Sequence, residues 1–222
     1  MEDVICLIIR LLLRWSTLSP LGMVDIVGTE RGVSSILFRR GKEADTETIN
    51  EALTEAASEV FSEIFVGASF NVSSKSFSAA ETVSVGGSST SGQILEPDDN
   101  LASVPRALLV CREELDGYFR GLRRSFTFPY VFAGTPFQQS VWRALMEVPY
   151  GTTISYKELA AAVGRPDAVR AVGHANGRNL LSIVIPCHRI IGSNGSLTGY
   201  AGGLHRKEWL LRLERDGAPP QS

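Results

Sequence analysis

The chain has 222 residues, 44% of them hydrophobic and 21% charged, enough apolar material for the core of one large domain or two small ones. Three scattered cysteines (Cys6, Cys111, Cys187) exclude a disulfide framework and favour a reducing, intracellular compartment. The net charge of -2 divides unevenly: residues 1–133 hold 12 Lys+Arg against 18 Asp+Glu, whereas residues 134–222 hold 10 against 6 together with all three histidines, a surplus that suits a polyanion such as nucleic acid.

Residues 4–13 are strongly apolar but too short to cross a bilayer, which takes about 20 residues. Glu2 and Asp3 stand where a secretory signal has basic residues, so residues 1–15 read as an N-terminal extension. Residues 23–28 and 33–38 are strand-like, and Thr29 to Gly32 between them has turn chemistry, which predicts a β-hairpin. From Asp45 to Phe65, Ile49, Leu53, Val60 and Ile64 recur at helical spacing. Residues 67–93 are rich in Ser, Gly, Ala and Thr, with few large side chains to offset the entropy of ordering the backbone. This predicts a flexible insertion extending to about residue 100. Ser103 precedes a helix with Pro105 in its first turn, and its stripe of Leu108, Cys111, Leu115 and Phe119 makes Cys111 a core residue. Phe126 to Phe132 is a strand candidate, confined to a sheet edge by Pro129. Gly134 to Pro136 is a natural joint, which divides the chain into domains at 16–133 and 134–217.

In the second domain Phe137, Val141, Leu145 and Val148 line one face of a helix over 137–147, with Trp142 beside it. Ser155 and Glu158 form a capping box for a helix running from Lys157 to Gly164. Asp167 can cap a second helix, Ala168 to Asn176. Helix, short turn, helix is the helix-turn-helix pattern. Arg170 stands on a face of small residues (Ala168, Ala171, Gly173, Ala175), which suits either a cationic probe or close packing on the neighbouring helix. Asn176 to Asn179 tolerates a sharp turn, and Asn179 can fix it by bonding local backbone.

Leu181 to Ile185 reads as a short buried segment that stops at Pro186, and Cys187, His188 and Arg189 follow with nothing between them. A cysteine attacks as the thiolate and needs a base or a positive neighbour. His188 is adjacent, but neighbouring side chains of a regular strand point to opposite faces. It can serve Cys187 only through irregular backbone or a bridging water. The last helix, Leu204 to Arg215, offers Glu208 and Glu214 to orient the imidazole. Glu208 has Arg212 four residues on as a surface partner, whereas Glu214 follows an apolar stripe and is the better buried partner. Cys187 and His188 with His174 and His205 show no metal-ligand spacing. His205 formally supplies the distant histidine of a cysteine hydrolase, but its setting does not support that role.

Four segments together resemble the O6-alkylguanine-DNA alkyltransferases: Gly134 to Ala161 (GTPFQQSVWRALMEVPYGTTISYKELAA), Arg170 to Leu180 (RAVGHANGRNL), Ile185 to Gly192 (IPCHRIIG) and Gly199 to Arg215 (GYAGGLHRKEWLLRLER). The resemblance implies an α+β fold, with a small N-terminal antiparallel sheet and helix and a mostly helical, winged-helix-like C-terminal domain. It implies irreversible, single-use transfer of an alkyl group from O6-alkylguanine, and also from O4-alkylthymine, in double-stranded DNA to Cys187. His188 acts through a water and Glu214 holds it. Tyr156 helps rotate the nucleotide and protonates the leaving base, Arg170 fills the gap in the stack, and Asn179 is the hinge. Ser155, Lys157, Ala171, Gly173 and Ser193 join Arg170 and Tyr156 on the DNA side. Tyr200, Ala201, Gly202, Asn176, Ile190 and Pro186 line the alkyl pocket. No cofactor or metal is implied, and the protein is expected to act as a monomer without a membrane, in the nucleus of a eukaryote or the cytoplasm of a bacterium. Leu180 stands where members of the family often have proline. The alternative is a lesion sensor that uses the same helix-turn-helix without transfer, against which Cys187 argues.

Overall fold

The computed structural model describes residues 13–39, 94–95 and 104–220. Strands β1 (Leu13–Ser19), β2 (Gly22–Thr29) and β3 (Gly32–Phe38) form an antiparallel meander, and β4 (Ile94–Leu95) adds to β1 in parallel, giving the order β3-β2-β1-β4. β2 is buried continuously from Val24 to Gly28. Val24 and Ile26 alternate with Asp25 and Val27 across the strand. The helix α1 (Arg106–Phe119) lies across β1, β2 and β3 and buries Leu108, Cys111, Leu115 and Phe119. The buried Asp25 accepts from Arg14 (2.7 Å), Arg39 (2.7 Å) and Ser16 (2.6 Å), so one carboxylate binds β1, β2 and the end of β3 together.

The C-terminal part comprises α2 (Pro136–Met146), β5 (Ile154–Ser155), α3 (Tyr156–Ala162), α4 (Val169–Gly177), a 3-10 turn at Cys187–Arg189, β6 (Ile190–Ile191) and α5 (Leu204–Asp216). Capping boxes start two of these helices: Thr135 with Gln138 before α2, and Ser155 with Glu158 before α3. Each satisfies two backbone donors that a helix start leaves unpaired. The Trp142 indole donates to the Ala175 carbonyl at 2.9 Å and ties α2 to α4. Parallel pairing of Ile154 with Ile190 and Ser155 with Ile191 ties the start of the helix-turn-helix to the turn that carries Cys187.

The outer edge of β3 does not stay open. The Ile36 amide donates to the Leu180 carbonyl (2.7 Å) and the Ser182 amide to the Ile36 carbonyl (3.1 Å). Further up the strand, the Val33 amide donates to the Pro129 carbonyl and the Val131 amide to the Val33 carbonyl, both at 2.9 Å. Gly32 permits this approach: a Cβ there would lie 2.8 Å from the Pro129 carbonyl oxygen. A strand edge that could pair with another chain is thereby covered from within.

Several expectations change. β1 begins at Leu13, inside the stretch read as an extension, and Trp15 is buried in the core. The polar Arg14 and Ser16 that alternate with it hide the strand, because both face Asp25. The pair Ile94–Leu95 falls within the predicted insertion yet forms β4. The helix expected at 45–65 lies outside the described residues. Pro105 is the residue before α1 rather than one in its first turn, and Ala168 precedes α4 without a side-chain cap, so Asp167 does not cap it. Phe126 to Phe132 is not a strand. Pro129 has no N–H to give a ladder, and only one isolated bridge, Val33 to Tyr130, forms. The alternating aromatic rings instead contact one another in series, Phe126 to Phe128 to Tyr130 to Phe132, at centroid distances of 5.8, 6.3 and 5.5 Å. That side-chain row accounts for the strand-like pattern.

Candidate active site

The chain reaches Cys187 through a tightly turned segment. Leu181, Ser182, Ile183 and Ile185 are buried as the composition suggests, but they form a turn closed by the Ile185 amide on the Leu181 carbonyl (2.9 Å). Ile183 sits at φ +75°, which a β-branched residue adopts only under strain. Asn179 holds this turn from inside. Its carbonyl oxygen accepts from the Leu181 amide at 2.9 Å, and its amide group donates to the Ile185 carbonyl at 2.8 Å and to Cys187 Sγ at 3.1 Å. The residue predicted as a hinge thus also touches the thiol.

Cys187 opens the 3-10 turn and is 5% exposed. In such a turn successive side chains are about 120° apart rather than opposite, so Cys187 and His188 need not face away from each other. Burial pushes the Cys187 thiol up; the Asn179 amide and the Lys207 ammonium act against this. At rest the sulfur is therefore protonated, and a base must take its proton before it can attack.

The fully buried imidazole of His188 shares Glu214 with three other groups. Glu214 Oε1 lies 2.9 Å from His188 Nε2 and accepts from the Tyr118 hydroxyl (2.7 Å) and from Arg189 Nη2 (2.9 Å); Oε2 accepts from Arg189 Nε (2.8 Å) and from the Gly151 amide (3.0 Å). Burial alone would raise the Glu214 carboxyl, but the bonds from His188 and Arg189 outweigh it and hold the group well below the usual carboxylate range. Burial lowers His188, and the nearby Arg189 and Lys207 charges lower it further against the pull of Glu214. The imidazole is therefore neutral. An ionised Glu214 can only accept, so the proton sits on Nε2. His188 Nδ1 is then a lone-pair acceptor, and it is buried without a hydrogen-bond partner among the described residues.

Other predicted residues gather around this centre. Tyr156, the first residue of α3, is half-buried and donates towards the carbonyls of Thr198 (3.3 Å) and Gly199 (3.4 Å). Gly199 has to be small, since a Cβ there would lie 2.5 Å from that hydroxyl. Gly173 of α4 faces the Tyr156 ring. Pro186, Ile190, Asn176 and Tyr200 are buried, Gly202 is half-buried and Ala201 is exposed. Arg170 and Ala171 on α4, Lys157 on α3 and Ser193 in the 192–195 turn are exposed, whereas Ser155 is partly buried and spends its hydroxyl on the α3 cap. His174, His205 and Glu208 are exposed. Among the described residues no group of three or more His, Cys, Asp or Glu side chains is placed to hold a metal ion, and no helix is long and apolar enough to cross a membrane.

Four contributors escape a reading of the sequence. Arg189 belongs to the Pro-Cys-His-Arg run, yet nothing in the run says that it turns back onto Glu214. Tyr118 stands three residues after Leu115 and reads as one more core aromatic. Gly151 donates through its backbone and has no side-chain signal at all. Lys207 lies between Arg206 and Glu208, in what looks like a solvated patch, but it is fully buried and donates to the carbonyls of Ile190 and Thr198. Burial lowers its ammonium to about 8, with the neighbouring Cys187 pulling the other way.

The family model described as "6-O-methylguanine DNA methyltransferase, DNA binding domain" matches residues 136–216. The methylated-DNA–protein-cysteine methyltransferase of Methanosarcina barkeri is 56% identical over 103 residues, 46% of this chain and 65% of that protein. The protein of the same name from Mycolicibacterium paratuberculosis is 52% identical over 115 residues, 52% of this chain and 70% of that protein. The crystal structure of Mycobacterium tuberculosis OGT in complex with DNA superimposes with a TM-score of 0.63 at 31% identity, covering 93% of this chain and 95% of that one. In sequence through the reactive half, and in fold over nearly its whole length, the chain belongs to the methylated-DNA–protein-cysteine methyltransferase family.

Proposed function

We propose that this protein repairs alkylated DNA by moving the alkyl group from O6-alkylguanine in a duplex onto Sγ of its own Cys187, once per molecule. The observation that carries this reading is the buried imidazole of His188, adjacent in sequence to the buried thiol, bonded to Glu214 through Nε2 and without a partner at Nδ1 among the described residues. One water between Cys187 and Nδ1 passes the thiol proton to His188, and Glu214 stabilises the resulting imidazolium. The thiolate forms its bond to the alkyl carbon while the carbon–oxygen bond breaks and its electron pair stays on the guanine. The Tyr156 hydroxyl gives the departing base a proton and regains one from water, while His188 releases the thiol proton to water, so both side chains end neutral. The Asn179 amide and the Lys207 ammonium favour the charged sulfur. The damaged base is the alkyl donor, so the reaction draws on no cofactor.

Burial of Cys187 requires that the base come to the thiol. Extruding a base costs a few kcal/mol, and a side chain inserted in the stack offsets part of this. The exposure of Arg170 on α4, among small residues that let the helix come close to a groove, supports that role for it. Minor-groove edges differ little between base pairs, which suits a protein that scans any sequence. The same chemistry extends to O4-alkylthymine, and the protein acts as a monomer.

The test is a stoichiometric assay on a duplex carrying labelled O6-methylguanine. One methyl per protein on the peptide containing Cys187 is expected, and Cys187→Ala should bind the duplex and transfer nothing. Repeated turnover, or label on another residue, would refute the mechanism. Binding without any transfer by the unaltered protein would make it a lesion sensor.

A further inference from the structure

Arg206, at the start of α5, spans two parts of the molecule. Its Nε donates to the Leu21 carbonyl in the β1–β2 turn (2.9 Å), its Nη2 to the Arg39 carbonyl beyond β3 (3.2 Å), and its Nη1 to the Gly202 carbonyl (2.8 Å). The guanidinium also lies 4.9 Å from the centroid of the Phe38 ring. Gly202 in turn is pinched: a Cβ on it would lie 2.6 Å from the Tyr200 ring and 3.2 Å from the Phe38 ring. Contact is therefore continuous from the N-terminal sheet, through Phe38 and Gly202, to Tyr200. That tyrosine is buried, and its loop is tied to the Cys187 turn by Lys207, which donates to the Thr198 carbonyl two residues before Tyr200 and to the Ile190 carbonyl directly after the turn.

We infer that Arg206 is a positioning residue for alkyl transfer: it clamps the loop carrying Tyr200 against the N-terminal sheet and so sets the size of alkyl group that Cys187 accepts. The inference rests on the proposed transfer to Cys187. A planar guanidinium with a fixed fork of donors suits the task, since it can hold three carbonyls at once in a way that a single ammonium cannot. The β1–β2 turn and the end of β3 are remote from Cys187 in sequence, and through this clamp they bear on the loop that carries Tyr200. A methyl group has little surface with which to centre itself there and depends on a wall held in place. A benzyl group has more apolar surface to hold it in position and depends on the wall less.

The experiment compares single-turnover transfer from duplexes carrying O6-methylguanine and O6-benzylguanine, in the unaltered protein and in Arg206→Ala, Arg206→Lys and Phe38→Leu, each at a temperature where its melting curve shows it folded. Arg206→Ala is expected to slow methyl transfer by about 10- to 100-fold, the scale on which small misplacements act. Benzyl transfer should fall far less, so that the methyl-to-benzyl preference drops about tenfold. Arg206→Lys should fall between, and Phe38→Leu should shift the preference in the same direction. If Arg206→Ala does not fold, the other two variants decide. A preference that stays constant, whether both rates fall together or neither changes, overturns the inference. If the unaltered protein transfers neither group, the proposed function itself fails, a result distinct from an unchanged preference in active variants.

Discussion

Asp25 and Glu214 are the same device built twice, with different results. Each is a buried carboxylate that accepts from guanidinium and hydroxyl donors brought in from distant parts of the chain. At both, burial pushes the acid up and the donors more than reverse it. The donors make the difference. Asp25 is surrounded by two arginines and a serine, none of which changes charge near neutral pH, so that the cluster only fastens strands together. Glu214 counts an imidazole among its donors, and among the described residues that imidazole keeps one nitrogen unbonded. A buried charge network becomes chemical when one member can exchange a proton and has somewhere to exchange it.

The comparison can be broken at its strongest point with His188→Gln, which keeps a donor near Glu214 and removes the base. Transfer from a methylated duplex should slow by about 10²- to 10⁴-fold, the usual contribution of a general base, while thermal stability changes little. A variant that transfers at the unaltered rate would make His188 structural, like the arginines of Asp25.

Glu214→Gln and Asp25→Asn are the matched pair. Removing one partner of a buried ion pair costs about 3–5 kcal/mol, and Asp25→Asn should sit at the low end because Arg14 and Arg39 are 14% and 25% exposed. Denaturant unfolding should show both losses. Only Glu214→Gln should also slow transfer in the fraction that remains folded. Equal slowing in both would erase the distinction.

Tyr118→Phe removes a single hydrogen bond to the carboxylate and should cost about 1.5–3 kcal/mol, the range for bonds to charged groups. A smaller cost would mean that α1 does not bear on the site.

The smallest effect separates the two clusters by pH. His188 has a folded pKa below its ordinary value of 6.5. As the pH drops below about 6.5 the unfolded chain takes up a proton that the folded chain refuses, and stability falls by at most about 1.4 kcal/mol per pH unit. Glu214 and Asp25 have folded values below their ordinary 4.5 and 3.8, so their contribution is present above those values and is lost only in stronger acid. Melting temperature should therefore decline in two stages, and His188→Gln should abolish the first.

The α+β fold was legible because its signals are local. The β2–β3 turn, the stripe on α1 and the Ser155 capping box each depend on residues a few positions apart, and each appears where the pattern puts it. Glu214 was legible because an acid beside an apolar stripe needs a partner. The rest depended on distances that sequence does not encode. Tyr118 and Glu214 are brought together by the packing of α1 near α5. Lys207 is buried because two carbonyls receive it, and a charged neighbourhood gives no hint of that. β1 was hidden because its polar residues serve a buried aspartate, the reverse of the usual alternation.

The order of these residues along the chain also matters during synthesis. Cys187 is made before Glu214, and α1, which brings Tyr118, is made earlier than both. A nascent chain thus carries the thiol for some time without the carboxylate that readies its base. Under the proposed transfer, the base beside the thiol is assembled only when α5 docks and delivers Glu214 to His188 and Arg189.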